Sequence, residues 1–284
     1  MRKYRYRWRR VKSAAFVGMT SLCTLITLVP LFFILYYVAA RGLTSVNLSF
    51  FTHLPKPVGE AGGGMGNAIV GSGILLALAV IVGVPTGVLG GIYLSEYGGS
   101  RLADGIRFSA EVLVGVPSIV VGMFVYALLV VPMRSFSALA GGVALGIIMV
   151  PIVMRTTEES LKMVPRSLRE ASLALGAARW QTILKVVLSA GRAGVITGIL
   201  LALARVAGET APLLFTALGN RYWNFDLRTP MASLPVQIYT YAIAPYDDWH
   251  RQAWAGAFVL IVGILAVNIT ARLASGRARG RTRR

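Results

Sequence analysis

Arg205 and Glu209 stand four residues apart inside an apolar run, 193–220, that holds no other ionisable side chain. On a helix that spacing puts both on one face and within reach of each other. Two kinds of chemistry are open to such a pair. The charges neutralise each other and pin the packing of the helix, or the guanidinium offers paired N–H donors to an anion while the carboxylate orients it or accepts a hydrogen bond from a protonated oxyanion. Ionisable residues at membrane depth are costly and mark function by default, which favours the second. Gly208 and Pro212 in the same run loosen or bend the helix there. A third candidate, Arg155, closes another apolar run and either joins the anion path or anchors that run to lipid phosphates.

A second group lies in the polar stretch 155–192. Leu168, Ala171 and Leu175 recur at i, i+3 and i+7 with charges opposite, which predicts a short amphipathic helix broken at Gly176. Ser167 and Glu170 fit a capping box, Ser-x-x-Glu, and that alone would account for the glutamate. The surface so formed either lies on the membrane or docks a partner.

Other chemistry is excluded. None of the five lysines (Lys3, Lys12, Lys56, Lys162, Lys185) follows a glycine, so the Gly-Lys-Ser/Thr loop that cradles ATP phosphates is missing. His53 and His250 are far apart, with no HExxH pattern and no cysteine partners, so no metal site is expected. No Gly-x-Ser-x-Gly occurs and no nucleophile–base constellation can be assembled. Cys23, the single cysteine, sits in an apolar run and reads as a small hydrophobe. Gly62, Gly63, Gly64 and Gly66 follow no strand and read as a flexible loop. The chain is expected to be no enzyme and to bind no cofactor of its own.

The elements that must position these residues follow from composition. Hydrophobic residues make up 56% of the 284, charged ones only 14%, yet the net charge is +18. A nucleic-acid binder with that excess would carry more charge overall, and a basic disordered chain would be less apolar. The combination predicts an all-α integral membrane protein with basic ends. Crossing the hydrocarbon takes about 20 apolar helical residues, and six stretches qualify, with helices at about 14–40, 68–94, 112–133, 135–154, 193–218 and 252–271. Glycines at four-residue spacing (Gly83, Gly87, Gly91; Gly142, Gly146; Gly194, Gly198) suit close packing of those helices. A basic tail, 1–12, precedes this six-helix domain, 13–271, and another, 272–284, follows it; between helices four and five lies the loop 155–192. With the N-terminus inside, the inner segments receive 22 lysines and arginines and the outer loops six. The bias places both termini in the cytoplasm.

Several blocks carry a family resemblance. Glu170-Ala171-Ser172, Gly176 and Val186-Val187-Leu188 resemble the "EAA" loop of ABC importer permeases: Glu-Ala-Ala, three residues, Gly, nine residues, Ile-x-Leu-Pro. Ser172, Val186 and Ser189 depart from that pattern. Residues 55–73, 115–122 (Gly-Val-Pro-Ser-Ile-Val-Val-Gly), 151–159 (Pro-Ile-Val-Met-Arg-Thr-Thr-Glu-Glu) and 205–215 (Arg-Val-Ala-Gly-Glu-Thr-Ala-Pro-Leu-Leu-Phe) are similar to the PstA family of phosphate transporter permeases. The resemblance runs from about the first helix to the last.

It implies a type I importer permease of MetI-like fold in the inner (cytoplasmic) membrane, with three kinds of partner. These are a second permease (PstC-like), an ATPase dimer (PstB-like) that uses the ATP, and an extracytoplasmic phosphate-binding protein (PstS-like). The family's pathway arginines fall on Arg155 and Arg205 and its glutamate on Glu209, while Glu170, Ala171, Gly176 and Leu188 take the ATPase-coupling positions. The rivals are a permease for another oxyanion, sulfate or molybdate, and an ATP-independent channel or ion-coupled carrier. The latter leaves the amphipathic loop unexplained.

Overall fold

A computed structural model describes residues 2–60 and 62–280; Met1 and residues 281–284, the ends of the two expected basic tails, lie outside the described residues. The described residues are helical throughout their ordered elements. α1 (Arg2–Gly42), α2 (Leu48–Thr52), α3 (Gly66–Glu96), α4 (Arg101–Gly115) and α5 (Ser118–Val125) come first; α5 runs through a π-helical turn, Tyr126–Val130, into α6 (Val131–Met133). Then follow α7 (Ala138–Lys162), α8 (Arg166–Ala174), α9 (Arg179–Gln181), a second π-helical stretch Thr182–Val187, α10 (Leu188–Ala207), α11 (Ala211–Thr216), α12 (Leu234–Ala242) and α13 (Asp247–Gly280).

Five helical segments are long and apolar enough to cross a membrane, and a sixth if the bent pair Arg101–Gly115 and Ser118–Met133 counts as one span. That pair corrects the straight third helix expected at 112–133: the two halves meet at 105°. Pro117 has no N–H and pushes Val116 out of the helical region, to φ −70°, ψ 129°. Pro30, Pro85 and Pro151 stay inside their helices, so proline alone does not end one here. The fifth span is also corrected. It starts earlier, at Arg179, and stops at Ala207, and 211–216 forms the separate α11 beyond Gly208. The expected loop 155–192 shrinks accordingly, because α7 continues to Lys162.

α7 is the hub. Its face toward α3 carries Met149, Val153 and Thr157 opposite Gly83, Gly87 and Gly91, and α7 returns the favour with Gly142 and Gly146 opposite Leu78 and Val82. A Cβ on Gly87 would stand 2.7 Å from that of Val153, closer than side chains tolerate. On its other side Thr156 and Ser160 fill the notches left by Gly198 and Gly194 of α10. Small residues thus let three helices meet with backbones nearly touching, the packing that substitutes for hydrophobic exclusion in lipid. Leu75, Ala79, Leu145, Met149, Val153, Ala202, Val206 and Leu213 form the resulting core.

α1 packs mainly along α13, with Tyr37 edge-on to Trp254 at 5.1 Å. Its large side chains from Phe16 to Tyr36 are exposed, which suits hydrocarbon and not water. Cys23 is exposed among them. The glycine-rich loop is not slack: Gly64 N–H donates to the Leu54 carbonyl (3.1 Å), Gly66 N–H to that of His53 (3.2 Å) and Met65 N–H to that of Phe50 (2.9 Å), clasping the loop to α2 and the residues after it. A Cβ on Gly66 would sit 2.6 Å from the Phe51 carbonyl oxygen, so this glycine is there for close approach.

Candidate functional site

The pair Arg205 and Glu209 flanks the end of the fifth span. α10 ends at Ala207, where the Gly208 N–H turns back onto the Arg205 carbonyl (3.4 Å) and the Glu209 N–H onto that of Val206 (3.2 Å). Arg205 Nε and Glu209 Oε1 are 4.0 Å apart, with the side chains 55% and 18% exposed. At 4.0 Å the two groups are too far apart for a hydrogen bond. The guanidinium therefore keeps donors for another ligand.

Arg107 makes the contrast. Its Nε donates to Glu158 (2.8 Å), and its Nη atoms to Asp104 (3.0 Å) and the carbonyls of Gly98 and Leu94 (3.1 Å each). That arginine is spent on structure. With Lys162, 2.6 Å from the same Glu158, it ties α4 to α7.

The break beyond Arg205 is joined to the bend in the third span. α11 opens on Ala211 and Pro212, and a Cβ on Gly122 of α5 would lie 2.6 Å from Pro212 Cα. The segment that follows the fifth span therefore meets the bent third span, whose second half runs into a π-helical turn, close to the charged pair. Interrupted helices at membrane depth leave backbone groups that need partners and recur where membrane proteins handle ions. Sequence reading took 112–133 as plain helix and missed this juncture; Pro117 and Gly122 were the available signals.

Arg155 stands apart from it. Its Nε donates to Glu159 Oε1 at 3.1 Å, with both side chains more than half exposed. It lines a cavity of about 220 Å³ between α4 and α7 together with Arg107, Glu111, Glu158, Glu159 and Lys162. No hydrogen bond or ion pair joins Arg155 to Arg205 or Glu209 among the described residues.

The loop after α7 has three parts. α8 starts behind Pro165 with no side-chain cap, so the expected capping box of Ser167 and Glu170 does not form; proline sets the start, Ser167 falls inside the helix, and Glu170 is left exposed. The end follows a Schellman pattern: the Gly176 N–H meets the Leu173 carbonyl (2.9 Å), the Ala177 N–H meets that of Ser172 (3.2 Å), and Gly176 takes φ +82°. Only a residue without Cβ adopts that conformation freely. Beyond it, Ser172 Oγ and Thr182 Oγ1 lie 2.9 Å apart and stitch α8 to the π-helical stretch.

Leu168, Leu173, Leu175 and Trp180 are exposed around Glu170 and Ala171, so the amphipathic face is not used up within the chain. Leu188 instead packs inward with Leu161, Val164 and Val187. Arg169 was missed from the sequence. It donates to Glu96 Oε1 (2.9 Å) at the end of α3 and to the carbonyls of Leu161 (2.9 Å) and Val164 (2.6 Å) at the end of α7. Arg179 adds a bond to the Glu96 carbonyl (2.8 Å) and stacks over Tyr97.

Residues 83–280 match the family model described as "Binding-protein-dependent transport system inner membrane component". The chain is 46% identical over 273 residues to the phosphate transport system permease protein PstA of Yersinia pestis, covering 96% of this chain and 92% of that one. It is 42% identical over 270 residues to the protein of the same name from Haemophilus influenzae, covering 95% of each. Among solved structures it is similar to a chain of the inward-facing MetNI methionine ABC transporter (TM-score 0.55, 19% identity, 75% of this chain and 91% of that one). A chain of an amino acid ABC transporter solved with histidines is similar too (TM-score 0.56, 19% identity, 74% and 92%). At that identity the structures speak for the fold alone, which is that of an ABC importer permease.

Proposed function

The chain belongs to the family of binding-protein-dependent transport system inner membrane components, and from that premise we infer that it is the permease subunit of a phosphate ABC importer. The observation that carries the substrate is its likeness, over nearly its whole length, to phosphate transport permeases. It is a multi-pass membrane protein and a transport component that works with other ABC subunits. In our reading the membrane is the cytoplasmic one and both termini face the cytoplasm. The partners are a PstC-like second permease completing the pathway, a PstB-like ATPase dimer and a PstS-like binding protein outside. The ATP is used by the ATPase, and this chain holds neither nucleotide nor metal.

The chemistry follows from the charged pair. Phosphate near neutral pH is singly or doubly negative and in both forms still carries a proton, so it needs donors for its oxygens and an acceptor for its O–H. Arg205 supplies paired N–H donors in an otherwise apolar wall. Glu209 supplies the acceptor, which a fully ionised sulfate cannot use. The carboxylate also weakens the arginine's grip, so the anion leaves again. Arg155, near the cytoplasmic end and already paired with Glu159, serves as a later and weaker station.

Coupling runs through α8. ATP-driven closure of the ATPase dimer presses on the surface around Glu170 and Ala171, with Gly176 holding the turn and Leu188 seating the following helix in the core. Arg169 passes that movement to α3 and α7. The test is uptake of labelled phosphate by the assembled importer in liposomes with internal ATP. Uptake that requires ATP and resists competition by sulfate and molybdate is expected; transport by this chain alone without ATP contradicts the reading.

A further inference from the structure

α3 measures about 46 Å at about 1.5 Å per residue, and its two ends lie in different settings. Glu96, its last residue, holds the coupling loop; Asn67, in its first turn, donates to the Asn220 carbonyl (2.7 Å). At that far end, between residues 54–57, the turn 218–222 and the start of α12, lies a cavity of about 380 Å³.

The cavity is built and not merely open. Leu218 (φ +61°) and Gly219 (φ +131°) are consecutive left-handed residues, and the Ala217 carbonyl takes both the Gly219 and the Met231 N–H, at 2.7 and 3.2 Å. The Asn220 side chain donates to the Pro230 carbonyl at 3.2 Å. These bonds fix the turn that carries Arg221 to the cavity wall. The lining contains the cations Arg221 and Lys56 and no carboxylate. Lys56 has Glu60 at 4.0 Å; Arg221 has no carboxylate partner among the described residues.

Ser233 supplies the second observation. It occupies the N-cap of α12, where a serine oxygen ordinarily takes an amide hydrogen of the first turn. Here it makes no capping bond, and its Oγ is enclosed with no hydrogen-bond partner although the residue is only 2% exposed. A buried hydroxyl left unpaired at the positive end of a helix needs an acceptor. Tyr241, also on the wall, has its hydroxyl pushed up by burial, against the opposing effects of the Gln237 hydrogen bond and Arg221, so it too stays a donor.

We propose that this cavity is a second small-oxyanion site that takes free inorganic phosphate at the end of the chain opposite the coupling loop, ahead of Arg205. The proposal rests on the phosphate reading above. Arg221 supplies charge, and Ser233 Oγ and Tyr241 Oη donate.

The test is equilibrium binding of radiolabelled phosphate to the assembled importer in nanodiscs, without binding protein or ATP, comparing wild type with Arg205→Gln, Arg221→Gln and Ser233→Ala. Two sites are expected in the wild type. Arg221→Gln weakens one about tenfold or more and Ser233→Ala about threefold, while Arg205→Gln removes only the other. If Arg221→Gln and Ser233→Ala both bind as wild type while Arg205→Gln loses all binding, the proposal falls and the phosphate reading stands. If no variant changes binding, both fall. Loss of the Arg221 site when phosphatidylglycerol replaces zwitterionic lipid makes the occupant a lipid headgroup and overturns the proposal. So does an Arg221→Gln variant that loses only its affinity for the binding protein.

Discussion

Arg169 of α8 grips Glu96, the last residue of α3, at 2.9 Å, and the same guanidinium closes the carbonyl end of α7. One side chain thus joins α8 to α3 and α7, the two helices that pack most extensively among the described residues. The Arg169 and Glu96 side chains are 19% and 9% exposed, so breaking the pair leaves a mostly buried charge. Arg169→Gln is expected to cost about 1–3 kcal/mol of local stability. It should lower phosphate uptake several-fold while ATP hydrolysis continues, which simultaneous ATPase and uptake assays on the reconstituted importer measure.

Gly176 tests the turn. Gly176→Ala puts a Cβ at φ +82°, a conformation that costs about 1–2 kcal/mol for a residue with a side chain. Gly176→Asn, which tolerates that region, should be milder. Uptake should therefore rank wild type, then asparagine, then alanine, at equal membrane levels of the chain. Equal uptake by all three would mean the turn is not needed.

Glu170 is exposed and uncapped, so its replacement has no fold to disturb. Glu170→Lys should leave the chain in the membrane with unchanged thermal stability and abolish co-purification of the ATPase. Normal co-purification and uptake would remove α8 from the docking surface.

Gly87 tests the α3–α7 contact. Gly87→Leu forces side-chain atoms into Val153 and should destabilise the chain by about 1–3 kcal/mol, the usual penalty for overpacking. A lower melting temperature in detergent and reduced membrane levels are expected. Gly73, with open space around it, is the control: Gly73→Ala should change neither.

The pattern of these sites shows what a sequence carries. Hydropathy located the spans because burial in lipid depends on composition, and the glycines of α3 and α7 were legible because their spacing is the contact. The break at Pro117 was not, since prolines, as at Pro85 and Pro151, remain helical when the neighbouring packing holds them, whereas the loosening at Gly208 was legible. Arg169 was silent because its partner Glu96 is 73 residues away. Ser167 and Glu170 misled, as the capping pattern was present but Pro165 had already begun the helix. Arg205 and Glu209 stand out because charge in an apolar run is conspicuous, and the fold places them on either side of the helix end at Ala207.

Glu209 makes a selectivity prediction. If its carboxylate accepts the phosphate proton, Glu209→Gln should retain transport but narrow the preference for phosphate over sulfate, read as a lower sulfate concentration for half-inhibition of uptake. An unchanged inhibition curve would assign Glu209 to orienting Arg205 alone.

The central claim is that Arg205 lies on the path of the phosphate ion. It is tested most directly by energy-dependent uptake of labelled phosphate at low external concentration, in cells lacking this chain and re-supplied with wild type, Arg205→Gln or Arg155→Gln. The account predicts that uptake requires the chain, is lost with Arg205→Gln at normal membrane levels and is only reduced with Arg155→Gln. Wild-type uptake by the Arg205→Gln chain, or uptake indifferent to deletion of the chain, would contradict it.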